Sequence, residues 1–374
     1  MSQMLRALGL MSGTSMDGID VALIETDGED RVVRGPSATF GYGAEFRRRL
    51  ADAIDGAREL DDRAARPGCL AEVERELTKR HAAAVQRFLA EQAILPAHIA
   101  VVGFHGQTVL HAPERRLTVQ LGDGTRLAHL TGIDVIYDLR AADVAAGGQG
   151  APLVPVYHRA MAARLPDRPV AVVNIGGVAN VTWIGRDGTL IAFDTGPGNA
   201  LIDDWMLRHT GQVVDTDGAT ASGGKVDDAA LSALLMSPYF SRVPPKSLDR
   251  NAFAVEPVLG LGIADGAATL TAFTAVSLAR ARAHFPEEPR LWVICGGGRR
   301  NRTLMTMLAG QVESAVVPAE AVGLDGDAVE AEAWAYLAVR SIRRLPITFP
   351  GTTGVGTATT GGVVVYGTAG ATEL

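Results

Sequence analysis

Three times in this chain an apolar strand runs straight into a tight glycine turn, and that recurrence restricts the available folds more than any other feature. The first is Leu5 to Met11, followed by a turn through Gly13-Thr14-Ser15-Met16-Asp17-Gly18 and a second apolar strand, Ile19 to Ile24. The second starts at Val170 and passes through Asn174-Ile175-Gly176-Gly177 into another apolar strand. The third, Leu291 to Gly298, reads LWVICGGG. A glycine placed directly after a buried strand lets backbone come close to backbone or ligand, because no Cβ intervenes. The chain holds 43 glycines, where ~7% usage would give about 26. The excess gathers in these turns rather than in a linker.

Between the turns lie further short strands, Ile99 to Phe104 and Val135 to Leu139, and stretches with helical spacing. The spacing predicts helices over roughly Ala71 to Ala90, Ala267 to His284 and Ala328 to Arg344. Strands alternating with helices give an α/β architecture. The first two strand–turn–strand units share a plan but not their residues, as two similar βββαβα domains would if each opened with a glycine-turned hairpin. A length of 374 residues suits two domains. The expected division is 1–140 and 141–344, with 345–374 crossing back to the first domain.

Charge and cysteine usage exclude several functions. The net charge is -7 and basic residues form no long run, so nucleic-acid binding through a phosphate footprint is not expected. Cys69 and Cys295 lack metal-ligand spacing, which points to a reduced compartment without disulfide or zinc. No segment approaches ~18 consecutive apolar residues, and the first residues lack a secretory pattern. A cytoplasmic protein with no membrane partner is the expectation.

The turn Gly13 to Asp20 can act as an anion cradle, its backbone N–H groups converging while Thr14 and Ser15 add hydroxyls. Asp17 and Asp20 suit a hydrated Mg²⁺, which prefers carboxylates, waters and phosphate oxygens. An ordinary hairpin with polar turn residues reads equally well on this motif alone. There is neither GxxxxGK[ST] nor a GxGxxG after a strand. Nucleotide binding would therefore rest on the three glycine turns together.

The segment Phe193-Asp194-Thr195-Gly196-Pro197-Gly198-Asn199 ends an apolar strand with a carboxylate, a rigid turn and a helical pattern from Leu201. An α/β fold places its chemistry at such strand ends. The other role for Asp194 is helix capping, for which Asn199 is better placed, so Asp194 is assigned to catalysis. Glu330 and Glu332 are two apart on one helix and face different directions, so at most one enters a site. His105, in His105-Gly106-Gln107-Thr108, is either a ligand contact or a satisfied core histidine, with the core reading favoured.

GLMSGTSMDGID (9–20), HGQT (105–108), TGIDV (131–135), AAGGQGAPLVP (145–155), NIGGVANV (174–181), FDTGPGN (193–199), PPKS (244–247) and CGGGRRN (295–301) together resemble the anhydro-N-acetylmuramic acid kinases. The resemblance covers nearly the whole chain. It implies an α/β fold of two RNase-H-like domains, of the actin/hexokinase/Hsp70 type, with an ATP and sugar cleft between them. It further implies ATP with Mg²⁺, a homodimer, and an anhydro amino sugar as substrate. The implied reaction opens 1,6-anhydro-N-acetylmuramic acid with water and phosphorylates O6, yielding N-acetylmuramic acid 6-phosphate in peptidoglycan recycling.

Residue roles follow from the matching motifs. Gly13, Thr14, Ser15, Met16, Asp17, Gly18, Ile19 and Asp20 match the ATP-phosphate loop, with Asp17 toward the metal through water. Gly176 and Gly177 accompany it, and Gly296, Gly297 and Gly298 match the turn near the adenosine. Asp194 matches the general base; Thr108, Arg140, Asp143, Gly148, Gln149 and Glu330 match the sugar side.

The chain departs from the family pattern at Leu139-Arg140-Ala141-Ala142-Asp143, where an arginine usually stands at position 142. That arginine would pair with the lactyl carboxylate, so a levoglucosan-type anhydrosugar kinase is the nearest rival. Lys246 and Arg250 also stand in altered surroundings. A non-catalytic, ATP-dependent sugar sensor on the same fold is the rival from another class. The Gly/Thr-rich tail FPGTTGVGTATTGG is expected as a surface excursion.

Overall fold

The computed structural model describes residues 3–13, 16–165, 167–248 and 253–367. Two compact units emerge, one built from the residues up to Ala163 and from Ala328 onward, the other from Arg164–Asp327.

The first unit carries strands β1 (Leu5–Met11), β2 (Gly18–Thr26), β3 (Val32–Gly41), β4 (Val101–Phe104), β5 (Gln107–Ala112), β6 (Leu117–Leu121) and β7 (Val135–Tyr137). Its six-stranded sheet runs Val363–Val365, β7, β4, β1, β2, β3. β1, β2 and β3 form an antiparallel meander, while β4 and β7 lie parallel to β1. β5 and β6 pair separately as a hairpin.

The two faces of this sheet are covered differently. Leu8 and Leu10 of β1 join Leu77, Val85 and Phe88 of helix Leu70–Glu91 in one apolar core. Toward helix Val329–Ile342 the strands present glycine instead. Gly9 and Gly103 are neighbours in the β1–β4 register. A Cβ at Gly9 would fall 1.7 Å from the Ala331 carbonyl oxygen, and one at Gly103 would fall 2.0 Å from that of Trp334. The helix backbone thus rests on strand backbone. The alanine-rich side of AVEAEAWAYLAV suits such close approach, since small side chains let axis and sheet converge.

The second unit holds β8 (Val170–Ile175), β9 (Val178–Ile184), β10 (Leu190–Pro197), β11 (Leu291–Cys295) and β12 (Ala315–Pro318). Its sheet order is β10, β9, β8, β11, β12. β8, β9 and β10 are antiparallel neighbours, and β11 and β12 run parallel to β8. With the β5–β6 hairpin set aside, both sheets read third, second, first, fourth, fifth from each unit's own start, and the first adds Val363–Val365 beyond β7. This is the duplicated RNase-H-like plan that the sequence implied. Val173, Val181, Phe193, Trp292 and Ile294 pack with Leu278 of helix Ile263–Arg280 and Leu304 of helix Arg302–Ala309.

The units divide elsewhere than expected. The boundary near residue 140 falls inside the first unit, because Asp143 is enclosed by Thr353 and helix Pro155–Ala162 sets Tyr157 against Glu332. Helix Val329–Ile342, assigned to the second domain, belongs to the first for the backbone reason just given. The tail is no mere surface excursion: Thr352, Thr353 and Val355 are buried, and Val363–Val365 pairs with β7.

Glu332 is 1% exposed and fixes the same helix laterally. It accepts from Arg34 Nε at 2.6 Å and from the Tyr157 hydroxyl at 2.7 Å. Replacing Gly9 by alanine should destabilise the protein by about 3 kcal/mol, as overpacking against rigid backbone does. Urea titration followed by circular dichroism checks this, and a shift below about 0.5 kcal/mol would contradict the backbone contact.

Candidate active site

In the first unit, β1 and β2 register as Met11 against Asp20. The turn between them is therefore held at its base by the sheet. Met16 N–H donates to the Gly13 carbonyl at 3.2 Å, and the Asp17 carbonyl accepts from Tyr42 N–H at 2.9 Å. Gly18 has no room for a side chain, since a Cβ would sit 2.6 Å from the Phe40 carbonyl oxygen. Ile19 points into the core. Thr14 and Ser15 lie outside the described residues. Asp17 is exposed, and half-buried Asp20 accepts from the Thr39 hydroxyl at 2.6 Å. Among the described residues no cluster of three metal-ligating side chains occurs. The two carboxylates at this turn nonetheless fit Mg²⁺, which keeps several waters and needs one or two protein ligands.

The residues assigned to the sugar side gather near the end of β4 and the loop after β7. Asp143 is 1% exposed. One carboxylate oxygen accepts from Gly150 N–H at 2.7 Å, and the other accepts from the Thr353 hydroxyl at 2.7 Å. Gly148 N–H donates to its carbonyl at 2.8 Å, and a Cβ on Gly148 would fall 2.2 Å from the carboxylate. Asp143, expected against substrate, thus has both oxygens engaged in shaping the Gly147–Gly150 loop. Gln149 is fixed through its N–H to the Thr353 carbonyl at 2.7 Å, with its side chain half-buried. Thr108 accepts from Gln120 Nε2 at 3.3 Å.

Arg140 donates to the Gly150 carbonyl at 2.9 Å and lies over the Trp334 ring at 5.4 Å. Its Nε is buried without a hydrogen-bond partner among the described residues. Burial lowers its pKa to about 10, against the opposing pull of Glu330 and then Asp143. Glu330, half-buried on helix Val329–Ile342, is accordingly the carboxylate of that helix turned toward Arg140. Glu332 faces Arg34 instead, so the two glutamates separate as their spacing requires.

In the second unit Asp194 does not end its strand. β10 continues to Pro197, and the ladder to β9 slips between Asp194 and Gly196. Such a bulge re-aims a side chain. A strap from Ser237 to Leu248 then runs alongside. Asp194 N–H donates to the Lys246 carbonyl at 3.1 Å, and the Tyr239 hydroxyl donates to the Asp194 carbonyl at 2.5 Å. Leu248 N–H donates to Asp194 Oδ2 at 2.8 Å. Burial raises the Asp194 carboxyl to about 7, although the Leu248 N–H pulls the other way. Lys246 Nζ lies 4.7 Å from the Tyr239 ring centre and is lowered to about 8 by burial and by Arg242. Nothing in the sequence pattern singled out Tyr239, because its contact depends on where the strap passes.

The glycine turns of this unit meet one another. Gly198 and Ala200 N–H groups donate to the Gly177 carbonyl at 2.9 and 3.2 Å, and Asn199 N–H donates to that of Gly176 at 2.7 Å. Asn199 does not cap helix Ala200–Thr210 through its side chain as expected; its Nδ2 donates to the Ile175 carbonyl at 3.2 Å. Gly296 adopts φ 73°, a left-handed conformation that glycine takes without strain. A Cβ there would collide with Asn174 Oδ1 at 2.3 Å, and one on Gly298 would strike Ile175 Cγ2 at 2.4 Å. Arg299 anchors the turn from behind, donating to the Gly296 carbonyl and to Asp327 at 2.9 Å each.

Beside Gly297 opens a cavity of about 310 Å³, lined among others by Asn199, Asp203, Asp215, Asp217, Arg300 and Asn301. Asp215 lies outside every motif the sequence offers, since it reaches this cavity only through fold contacts, whereas Asn301 ends the CGGGRRN motif. The Asp215 carboxylate accepts from Thr220 and Ala221 N–H groups at 2.8 and 2.9 Å, and Asn301 caps helix Arg302–Ala309.

A family model described as anhydro-N-acetylmuramic acid kinase matches residues 5–367. Three similar proteins carry the name anhydro-N-acetylmuramic acid kinase. That from Rhodospirillum rubrum is 56% identical over 95% of this chain and 93% of its own. That from Bradyrhizobium diazoefficiens is 54% identical over 96% and 99%, and that from Agrobacterium fabrum 51% identical over 98% and 100%. Solved structures are more distant: the activator of the 2-hydroxyisocaproyl-CoA dehydratase from Clostridium difficile with bound ADPNP is 12% identical. Its TM-score is 0.45 across 91% of this chain and 96% of that one.

The raised carboxyl of Asp194 has a measurable consequence for stability. Its folded pKa, about 7, exceeds the ordinary value of 3.8. Its contribution to stability is therefore complete below pH 3.8 and is lost as pH rises through 7. Asp194→Asn should raise the melting temperature more at pH 8.5 than at pH 5. Calorimetry at both pH values checks this, and equal shifts would contradict a buried, reluctantly ionised carboxyl.

Proposed function

The chain belongs to the anhydro-N-acetylmuramic acid kinase family, and we propose that it opens the anhydro ring of its sugar with water and phosphorylates O6. The substrates in this reading are 1,6-anhydro-N-acetylmuramic acid and ATP, and the products N-acetylmuramic acid 6-phosphate and ADP. The observation that carries it is Asp194: a carboxylate re-aimed by a bulge, held at one oxygen by Leu248 N–H and poised near pH 7. Water is a poor nucleophile, and a positioned base of matched pKa accelerates its attack by roughly 10²–10⁴-fold.

In this reading Asp194 takes a proton from the water that attacks the anomeric carbon. A bond forms from the water oxygen to C1 as the C1–O6 bond breaks. The departing O6 bonds to the γ-phosphorus of ATP, and ADP leaves. Glu330, Arg140, Thr108 and Gln149 orient the sugar, while Asp143 and Gly148 shape the loop that presents Gln149. The Gly13–Asp20 turn and Gly177 offer N–H groups to phosphate, and Gly176 lets the backbone approach while its own N–H donates to the Val178 carbonyl. The cavity beside Gly297 receives the nucleoside, with Asp203 suited to its ribose hydroxyls. Asp17 or Asp20 would hold Mg²⁺, which neutralises phosphate charge when bound.

The same reading makes the protein a cytoplasmic homodimer in peptidoglycan recycling. No helix among the described residues is long and apolar enough to cross a membrane. Exposed Ala142 carries no charge where the family pattern has arginine, which is the feature that a levoglucosan-type kinase would share.

The test is ADP release from ATP with 1,6-anhydro-N-acetylmuramic acid, levoglucosan or free N-acetylmuramic acid. Turnover on the first alone is expected. Preference for levoglucosan would overturn the substrate assignment, and turnover on none would favour a sugar sensor. Asp194→Asn should reduce turnover by at least about 100-fold while ATP affinity stays within about twofold. More than a few per cent residual rate would remove its role as base.

A further inference from the structure

The structure leaves His105 with a task that neither the ring opening nor the phosphate turn has absorbed. The residue follows β4 directly, its N–H donating to the Leu10 carbonyl at 3.1 Å, and it is 6% exposed. Its ring lies 4.7 Å from the Trp334 ring. Each ring nitrogen has a partner. Nδ1 is 3.2 Å from the Ser12 carbonyl oxygen, and Nε2 is 3.2 Å from Arg140 Nη2.

The partners fix the tautomer. A guanidinium has five N–H donors and no acceptor, so Nε2 must offer its lone pair to Arg140. The hydrogen then resides on Nδ1 and is donated to the Ser12 carbonyl. Burial and the neighbouring Arg140 push the pKa of His105 to about 3, against the opposite pull of the Gly106 and Ser12 carbonyls. The imidazole accordingly stays neutral across the physiological range.

What lies beyond each partner gives the arrangement its meaning. Ser12 immediately precedes Gly13, the first residue of the phosphate turn. Its hydroxyl donates to Gln107 Oε1 at 2.8 Å, its oxygen is 3.0 Å from the Tyr42 hydroxyl, and Gln107 Nε2 donates to the Gly13 carbonyl at 3.3 Å. On the other side Arg140 passes the contact to the Gly150 carbonyl at 2.9 Å, the end of the loop carrying Gln149. A single ring thus spans the backbone entering the phosphate turn and the arginine that holds the sugar-side loop.

We propose that His105, as the neutral Nδ1–H tautomer, is a positioning residue coupling the Ser12–Gly13 backbone to Arg140 and the Gly147–Gly150 loop, so that nucleotide-side and sugar-side segments are set together. The assignment of the two sides rests on the function proposed above. The tautomer and its two hydrogen bonds do not.

The two halves of the coupling can be cut separately. An asparagine amide reaches roughly the place of Nδ1, so His105→Asn keeps a donor for Ser12 and loses the acceptor for Arg140. A glutamine oxygen reaches roughly the place of Nε2, so His105→Gln keeps the acceptor and loses the donor. His105→Asn should raise the KM for the anhydrosugar about tenfold and leave that for ATP within about twofold, the scale of one lost hydrogen bond. His105→Gln should show the reverse. Equal effects of both variants on both substrates, or none, would overturn the coupling.

Nitrogen-15 spectra of histidine-labelled wild type, with the His105 signals assigned by their loss in His105→Gln, read the tautomer without any substrate. A non-protonated Nε2 and a protonated Nδ1, unchanged from pH 5 to pH 8, are expected. A protonated Nε2, or titration within that range, would overturn the proposal even if no sugar were turned over or His105→Asn failed to fold. Loss of wild-type turnover with the expected spectrum would instead fault the proposed substrate.

Discussion

Bare backbone contact between helix Val329–Ile342 and strands β1 and β4 is the constraint on which the rest of the first unit depends. Glycines at positions 9 and 103, side by side in register, remove the two side chains that would hold the helix away. The helix enters the unit only after the chain has completed the second one. It is then locked by Glu332, whose carboxylate joins Arg34 of β3 and Tyr157. A buried carboxylate with two donors is worth retaining because leaving either donor unpaired costs more than the pair itself contributes. Once seated, the helix brings Trp334 under His105 and Arg140, and Glu330 within electrostatic reach of Arg140.

The second unit positions Asp194 by different means. There the β10 ladder slips at Asp194, and a strap supplies Leu248 N–H to its carboxylate and the Tyr239 hydroxyl to its carbonyl. Asp194 gains its raised pKa from being shielded, not from a neighbouring anion. Such a carboxyl can accept a proton from water near neutral pH and still be ionised in an appreciable fraction of molecules. Gly18, Gly296 and Gly298 share a feature across both units, in that each stands where a Cβ would meet backbone or a fixed side chain.

The strands, the helices and the glycine turns were legible in the sequence because they are local: apolar runs, helical spacing and missing side chains are read within a dozen residues. So was Asp194 as a residue of interest, although its strand continues past it. Contacts between distant parts of the chain were not legible. Asp143 looked like a substrate contact, and only the fold shows Thr353, 210 positions away, closing on its carboxylate. Arg34 and Glu332 meet across 298 positions, and that pairing, with the Tyr157 hydroxyl, holds Glu332 away from the side that Glu330 faces. The unit boundary failed for the same reason, since glycines 9 and 103 draw in a helix that sequence order assigns elsewhere.

A crystal structure of the chain with a non-hydrolysable ATP analogue and 1,6-anhydro-N-acetylmuramic acid would test hydrolytic ring opening at Asp194 in one experiment. An ordered water is expected within about 3 Å of an Asp194 carboxylate oxygen, in line with the anomeric carbon and opposite its bond to O6. Sugar bound with its anomeric carbon away from Asp194, or Asp194 hydrogen-bonded directly to a sugar hydroxyl with no water between it and C1, would contradict hydrolytic ring opening by this residue.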